Sequence, residues 1–419
     1  MAGRNNHKQT FFPDVRGQRG YADRVYIQNV EELTTRSAFG EVISQELTPI
    51  TALNFVYGVN SGIAFASGID GGTITSVSGM ASVDTTASAN SEAFTFSRIP
   101  MRYLPGQAIT VRGAGVFTSG TSASGYALLG AYNSNFENAL MFGTSGSTFG
   151  ILYRSFNEDV FIPQSEWNGI DIMDGNSDGE AIDPALGNVY QIQYEWLGFG
   201  GIEFSVMDPN TGRFINVHTI KYGNTSVRPS LSNPSMHIGA WAKNNGDAAA
   251  IKVRTGSMGG FSAGPKPESF NDFHTAASGS HSLTDASIQN VITVRNNDTF
   301  NGLESERQLF AEFMGVSNDG NKPVAITVIR NATLTGASFE PVDNNRSSAS
   351  VDLVGSGVTA PSGDIMMGAL IAAGGSDFIN LFDLDMRLDE GESFTIAAEK
   401  VGGGSTALVT AFIRWREEI

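Results

Sequence analysis

Residues 189–197 read Val-Tyr-Gln-Ile-Gln-Tyr-Glu-Trp-Leu, and this alternation constrains the fold more than any other feature. Tyr190, Ile192, Tyr194 and Trp196 alternate with Gln191, Gln193 and Glu195, which is the twofold period of a strand with one face buried. Residues 202–207 repeat the pattern with Ile202, Phe204 and Val206. Asp208-Pro209-Asn210-Thr211-Gly212 follows as a turn: proline presets φ, and Asn and Gly accept the left-handed conformation. Residues 213–220 return as the second arm of a hairpin. Comparable runs lie at 109–117, 126–131, 140–142, 150–154, 236–242 and 250–255.

The stretch from Gly256 to Glu268 holds Gly256, Gly259, Gly260, Gly264, Pro265 and Pro267, which predicts a linker. Beyond it the strand pattern restarts at 288–295, 308–313, 324–330, 350–354, 365–372, 394–398 and 407–415. In the last run Ala407, Val409, Ala411, Ile413 and Trp415 share one face. A short helical patch is expected at 303–310. Charged residues are only 16% of the chain, and 49 of 419 positions are glycine. A helical bundle needs a charged surface, whereas tight-turned strands do not. The sequence therefore predicts an all-β chain: an N-terminal arm and docking segment (1–50), a β-sandwich (51–255), a Gly/Pro linker (256–269) and a second β-sandwich (270–419).

The arm has its own composition. Residues 1–24 carry +3, while the whole chain carries −17, which leaves −20 for the rest. Such an arm is suited to an acidic surface, including another copy of the body. The acidic body itself argues against nucleic acid, which rewards clustered Lys and Arg. It also argues against anionic membrane surfaces. No apolar run approaches the ~20 residues of a membrane span, and no signal-peptide pattern is visible. The absence of cysteine removes disulfides, thiolate metal sites and cysteine nucleophiles, and fits folding in a reducing cytosol.

Few motifs carry chemistry. Gly260-Phe-Ser262-Ala-Gly264 matches the nucleophile-elbow pattern, but it sits in the expected linker and lacks a strand–turn–helix setting. Asp174-Gly-Asn176-Ser-Asp178-Gly179 resembles the start of an EF-hand loop, yet Ala185 stands where the bidentate Glu belongs. Asp174, Asn176 and Asp178 are the candidate metal ligands, for structural calcium at most; no other cofactor is expected, and no catalytic residue is assigned. His7, His218, His237, His274 and His281 form no pair at metal-binding spacing. His218 lies in the hairpin and reads as structural. Trp196 and Trp415 lie on apolar strand faces and read as core.

The stretch 187–201, continuing through 211–222, together with Tyr103-Leu-Pro-Gly-Gln107, Ser37-Ala-Phe-Gly-Glu41, Leu384-Asp-Met-Arg-Leu388 and Arg414-Trp-Arg-Glu417, resembles virion structural proteins of tailed bacteriophages. The resemblance implies a lectin-like (jelly-roll) β-sandwich followed by a second sandwich, built into a homo-oligomer. A trimer follows by analogy with phage fibres. It implies synthesis in the bacterial cytoplasm, location on the virion, and contact with other virion proteins. A tail or neck fibre or spike component that binds a host-surface glycan is the leading expectation, and not an enzyme. A head-decoration protein is the first alternative. The second is a glycan depolymerase, which needs two carboxyl groups about 5–9.5 Å apart in a cleft.

Overall fold

A computed structural model describes residues 10–13, 19–22, 47–118, 124–169, 182–264, 273–284, 286–354, 357–359, 362–382, 386–402 and 406–418. Among them there is no α-helix, and Gln164–Glu166 forms a 3-10 turn. The strand pairings among the described residues are antiparallel. The chain is all-β, built from two sandwiches in tandem.

The first sandwich packs two sheets face to face. One runs in the order Glu158–Pro163, Thr148–Ser155, Ala139–Ser145, Tyr126–Tyr132, His237–Lys243, Glu92–Ser97, Ala64–Ile69. The other runs Phe214–Ile220, Ile202–Met207, Asn188–Tyr194, Ile109–Thr118, Lys252–Ala263, after which Met80–Asp84 and Thr73–Val77 continue beside one half of Lys252–Ala263 and Leu47–Asn54 beside the other. Their facing residues, among them Ile192, Tyr194, Phe204, Phe142 and Ile238, form one buried cluster. The expected hairpin is present: Ile202 pairs with Ile220 and Met207 with Phe214. Asp208 closes its turn by accepting from the Asn210 N–H and the Thr211 hydroxyl.

Three expectations need correction. The predicted linker from 256 onwards is strand as far as Ala263, within the twelve-residue Lys252–Ala263 that lies in the middle of its sheet. Its glycines answer a packing demand: a Cβ on Gly260 would lie 2.4 Å from Met101 Sδ. The register shift between Thr255 and Met258 marks a bulge, another place where glycine is favoured in a strand. The helical patch at 303–310 is instead the short strand Leu303–Glu304 and the start of Gln308–Asn318. The first sandwich also begins at Leu47, inside the segment assigned to the arm.

In the second sandwich one sheet orders Phe273–Leu283, Ala407–Glu418, Gln308–Asn318 and Ser376–Asn380, with Arg387–Leu388 also beside Gln308–Asn318. The other runs Leu334–Thr335, Gly357–Val358, Gln289–Asn296, Ser393–Lys400, Val324–Arg330, Asp364–Ile371, and Ala349–Asp352 and Phe339–Pro341 extend it beside Gln289–Asn296. Ala407, Val409, Ala411, Ile413 and Trp415 are buried, as their alternation predicts. They pack with Ile292, Phe394 and Ile396 of the facing sheet. In the arm, Thr10–Pro13 pairs antiparallel with Arg19–Ala22.

Candidate functional site

The calcium-loop candidates Asp174, Asn176 and Asp178 lie outside the described residues. Ser262 is buried in the Lys252–Ala263 strand rather than exposed on an elbow. His218 is buried, its Nδ1 meets no hydrogen-bond partner, and burial holds its pKa below the ordinary value. Trp415 is core, and Trp196 packs against the core cluster edge-to-face with Tyr103.

Two places instead collect chemistry. The first is the outer face of the seven-stranded sheet. Strand alternation turns Phe65, Phe94, Phe96, Tyr126, Leu128, Tyr132, Trp241, Leu152 and Phe161 to this side, away from the main core. They form a second apolar layer. Phe136, held at φ 60° in the loop after Tyr126–Tyr132, folds over it, stacks on Tyr132 at 4.9 Å and lies tilted against Trp241 at 4.7 Å. Phe65, Phe94, Tyr126 and Phe161 keep part of their rings in solvent. Charged groups border them: Lys243 pairs with Glu92 at 3.3 Å, and Arg154 pairs with Asp159 while lying 4.9 Å above the Trp241 ring.

The second place is the junction of the sandwiches. His237 opens the strand His237–Lys243 and lies opposite Tyr132 on the same outer face. Its Nε2 stands 3.0 Å from Glu306 Oε2 of the second sandwich, and both side chains are buried. Its Nδ1 donates to the Ser97 carbonyl. Nearby, the Ser134 hydroxyl donates to Glu304 Oε1 at 2.8 Å, and Arg102 Nη1 reaches Glu418 Oε2 at 2.5 Å. A cavity of about 290 Å³ lies beside that ion pair, lined by Ile50, Pro100, Arg102 and Leu104 from the first sandwich and Phe310, Arg387 and Glu418 from the second.

Glu390, on the turn before Ser393–Lys400, completes the junction cluster: one ligand atom each from His237, Glu306 and Glu390 lies within 4.8 Å of the others. Burial disfavours charge on all of them. For His237 the Glu306 carboxylate more than offsets burial and holds the imidazole pKa up at about 9. Burial is likewise outweighed at Glu306, whose pKa His237 draws below the usual value. Burial together with Glu306 pushes Glu390 up to about 8, and burial pushes Glu304 up to about 7. Three carboxyl groups thus share one cationic neighbour, which is the arrangement that forces such shifts. Sequence reading missed this cluster because its members lie at 237, 306 and 390, on separate strands and turns, and no local spacing marks them.

No family model matches the chain, and no curated protein does. Solved structures resemble part of it. The endo-1,3-beta-glucanase of Streptomyces sioyaensis is 9% identical, covers 52% of this chain and 97% of its own, and gives a TM-score of 0.37. A legume lectin-like domain of Entamoeba histolytica is 9% identical, with 51% of this chain and 98% of its own covered and a TM-score of 0.31. Arcelin-5, a lectin-like defence protein of Phaseolus vulgaris, is 12% identical, with 51% and 99% covered and a TM-score of 0.33. Likeness at this level says nothing about function.

Proposed function

We propose that this chain is a structural component of a tailed-bacteriophage virion, a tail or neck fibre or spike part that docks on the particle through its arm and on further copies of itself. The observation that carries the reading is the junction. Buried pairs, His237–Glu306 and Arg102–Glu418, lock two sandwiches into one body, which suits a part that transmits position rather than one that opens and closes. The strand Ala407–Glu418 runs through the middle of its sheet and reaches the junction at Glu418. Exposed Phe378 and Phe382, packed about Phe313 on the second sandwich, support contact between copies, because exposed apolar patches mark association surfaces. Copurification with density-banded particles, followed by imaging with a label on the chain, tests the reading. Label on the tail or neck supports it, label on the head favours the decoration role, and absence from banded particles refutes both.

A glycan-binding role is favoured by the outer face of the seven-stranded sheet. Part-exposed aromatic rings beside Asp159, Arg154, Glu92 and Lys243 offer apolar faces for sugar C–H groups and donors and acceptors for hydroxyls. We expect the full chain to bind host cells and the double variant Tyr126→Ala, Phe161→Ala to bind at least about tenfold more weakly, the equivalent of ~1.4 kcal/mol. Unchanged cell binding by a folded double variant would remove this face from consideration. The depolymerase reading gains no support from the junction carboxyl groups, because Glu306 is buried and paired with His237.

A further inference from the structure

His237 and Glu306 help to hold the junction, and together with Glu390 they have the layout of a ligand set. We propose that they bind a divalent transition cation of the zinc class, which clamps the second sandwich onto the first.

Four observations carry this. First, the Ser97 carbonyl can only accept, so Nδ1 of His237 carries an N–H, and Nε2 is the nitrogen that faces Glu306, where an entering ion would displace its proton. Fixing one ring nitrogen on a backbone carbonyl is how metal-binding histidines are oriented. Second, Glu306 is buried, and its Oε1 meets no hydrogen-bond partner while Oε2 faces His237. An orphaned carboxylate oxygen in an enclosed site asks for a cation or a proton. Third, Nε2 and Oε2 lie 3.0 Å apart, a few tenths of an ångström closer than the roughly 3.4 Å between two ligands of a tetrahedral ion, so an ion needs only a small parting of the pair. The third ligand atom, from Glu390, lies within 4.8 Å of both. Fourth, Glu304 adds another carboxyl group on the Ser134 side, so the pocket is rich in negative charge that a dication would offset.

The donor set selects the ion. One imidazole and two carboxylates suit zinc and its neighbours, whereas calcium takes an all-oxygen shell of six to eight ligands. With three protein ligands, a fourth position falls to water or to the Ser134 hydroxyl. Glu306 and Glu390 come from the second sandwich and His237 from the first, so the ion would bridge the two bodies.

The rival arrangement has Glu390 protonated and donating to Glu306, with no ion. The two separate cleanly in Glu390→Gln, whose amide N–H can replace that proton and so keeps the junction packed, but which removes a ligand. The test uses the full chain, stripped with a chelator and titrated near neutral pH with zinc chloride, with calcium chloride in parallel. We expect saturable uptake of one zinc per chain, a zinc-dependent rise in Tm, and no matching response to calcium. In Glu390→Gln the zinc affinity should fall roughly 100-fold, while its Tm without zinc matches that of the stripped native chain. Cobalt in place of zinc should give visible absorption in the native chain and lose it in the variant. No saturable zinc uptake by the native chain would overturn the proposal. So would equal uptake and an equal Tm rise in Glu390→Gln, which would place the ion elsewhere.

Discussion

Glu417 holds together a corner of the second sandwich that no apolar contact could. It is fully buried. Its carboxyl oxygens accept from the Ser347 hydroxyl, from the Ser348 N–H at 3.0 Å and from Trp415 Nε1 at 3.1 Å. Arg307 stands at 3.9 Å. Each of those donors is enclosed, so removing the acceptor strands several at once. A buried donor left without a partner costs about 1–3 kcal/mol. We expect Glu417→Ala to destabilise the second sandwich by about 3–4 kcal/mol. Glu417→Gln keeps one acceptor oxygen but presents an NH2 to donors, and should lose about 1–2 kcal/mol. Urea unfolding followed through Trp415 checks both, and a loss under about 1 kcal/mol in Glu417→Ala would show that water or Arg307 replaces the network.

The same contrast between apolar pattern and polar partnership decides which elements the sequence reveals. Strands with one buried apolar face were legible: Ala407–Glu418, Val324–Arg330 and the hairpin Ile202–Met207 with Phe214–Ile220 lie where their alternation predicts. Phe273–Leu283 was not legible. It pairs along Ala407–Glu418 over its whole length, but between Phe273 and Leu283 its residues are small or polar and only Gly279 is buried, so no apolar period exists to read. Asn188–Tyr194 was located but misjudged as half-buried. Gln191 and Gln193 are buried too, and Gln191 accepts from Arg112 at 2.8 Å while Arg112 lies over the rings of Phe214 and Phe261. Lys252–Ala263 was hidden for the opposite reason. Its glycines look like a linker until the Met101 side chain that needs the space beside Gly260 is known. That space is set by a residue more than 150 positions away, and composition carries no record of it.

The junction belongs to the whole molecule and was invisible in sequence, since Arg102 meets Glu418 and His237 meets Glu306 only after both sandwiches exist. The sandwiches also differ in a way that a single titration should expose. All ten tyrosines precede position 223, so the second sandwich has none. Tyr132 and Tyr194 are fully buried and Tyr190 nearly so, and burial raises the pKa of each phenol above its ordinary value. Their folded pKa values exceed those of the unfolded chain, so the stability they confer is complete below pH ~10 and is lost as pH rises above it, at about 1.4 kcal/mol per pH unit for each such tyrosine. Three of them acting together would cost about 4 kcal/mol per unit, against a total stability of about 5–15 kcal/mol for a domain. The first sandwich should therefore unfold cooperatively between about pH 11 and 12.5 while the second keeps its core. Tyrosinate absorbance should rise in one steep step as the three phenols ionise on unfolding. The Lys252–Ala263 strand should open to hydrogen exchange in that step, while Ala407–Glu418 stays protected. Gradual ionisation of every tyrosine near pH 10 with the near-UV dichroism intact would contradict the expectation, because it would mean that Tyr132, Tyr190 and Tyr194 reach water in the native state.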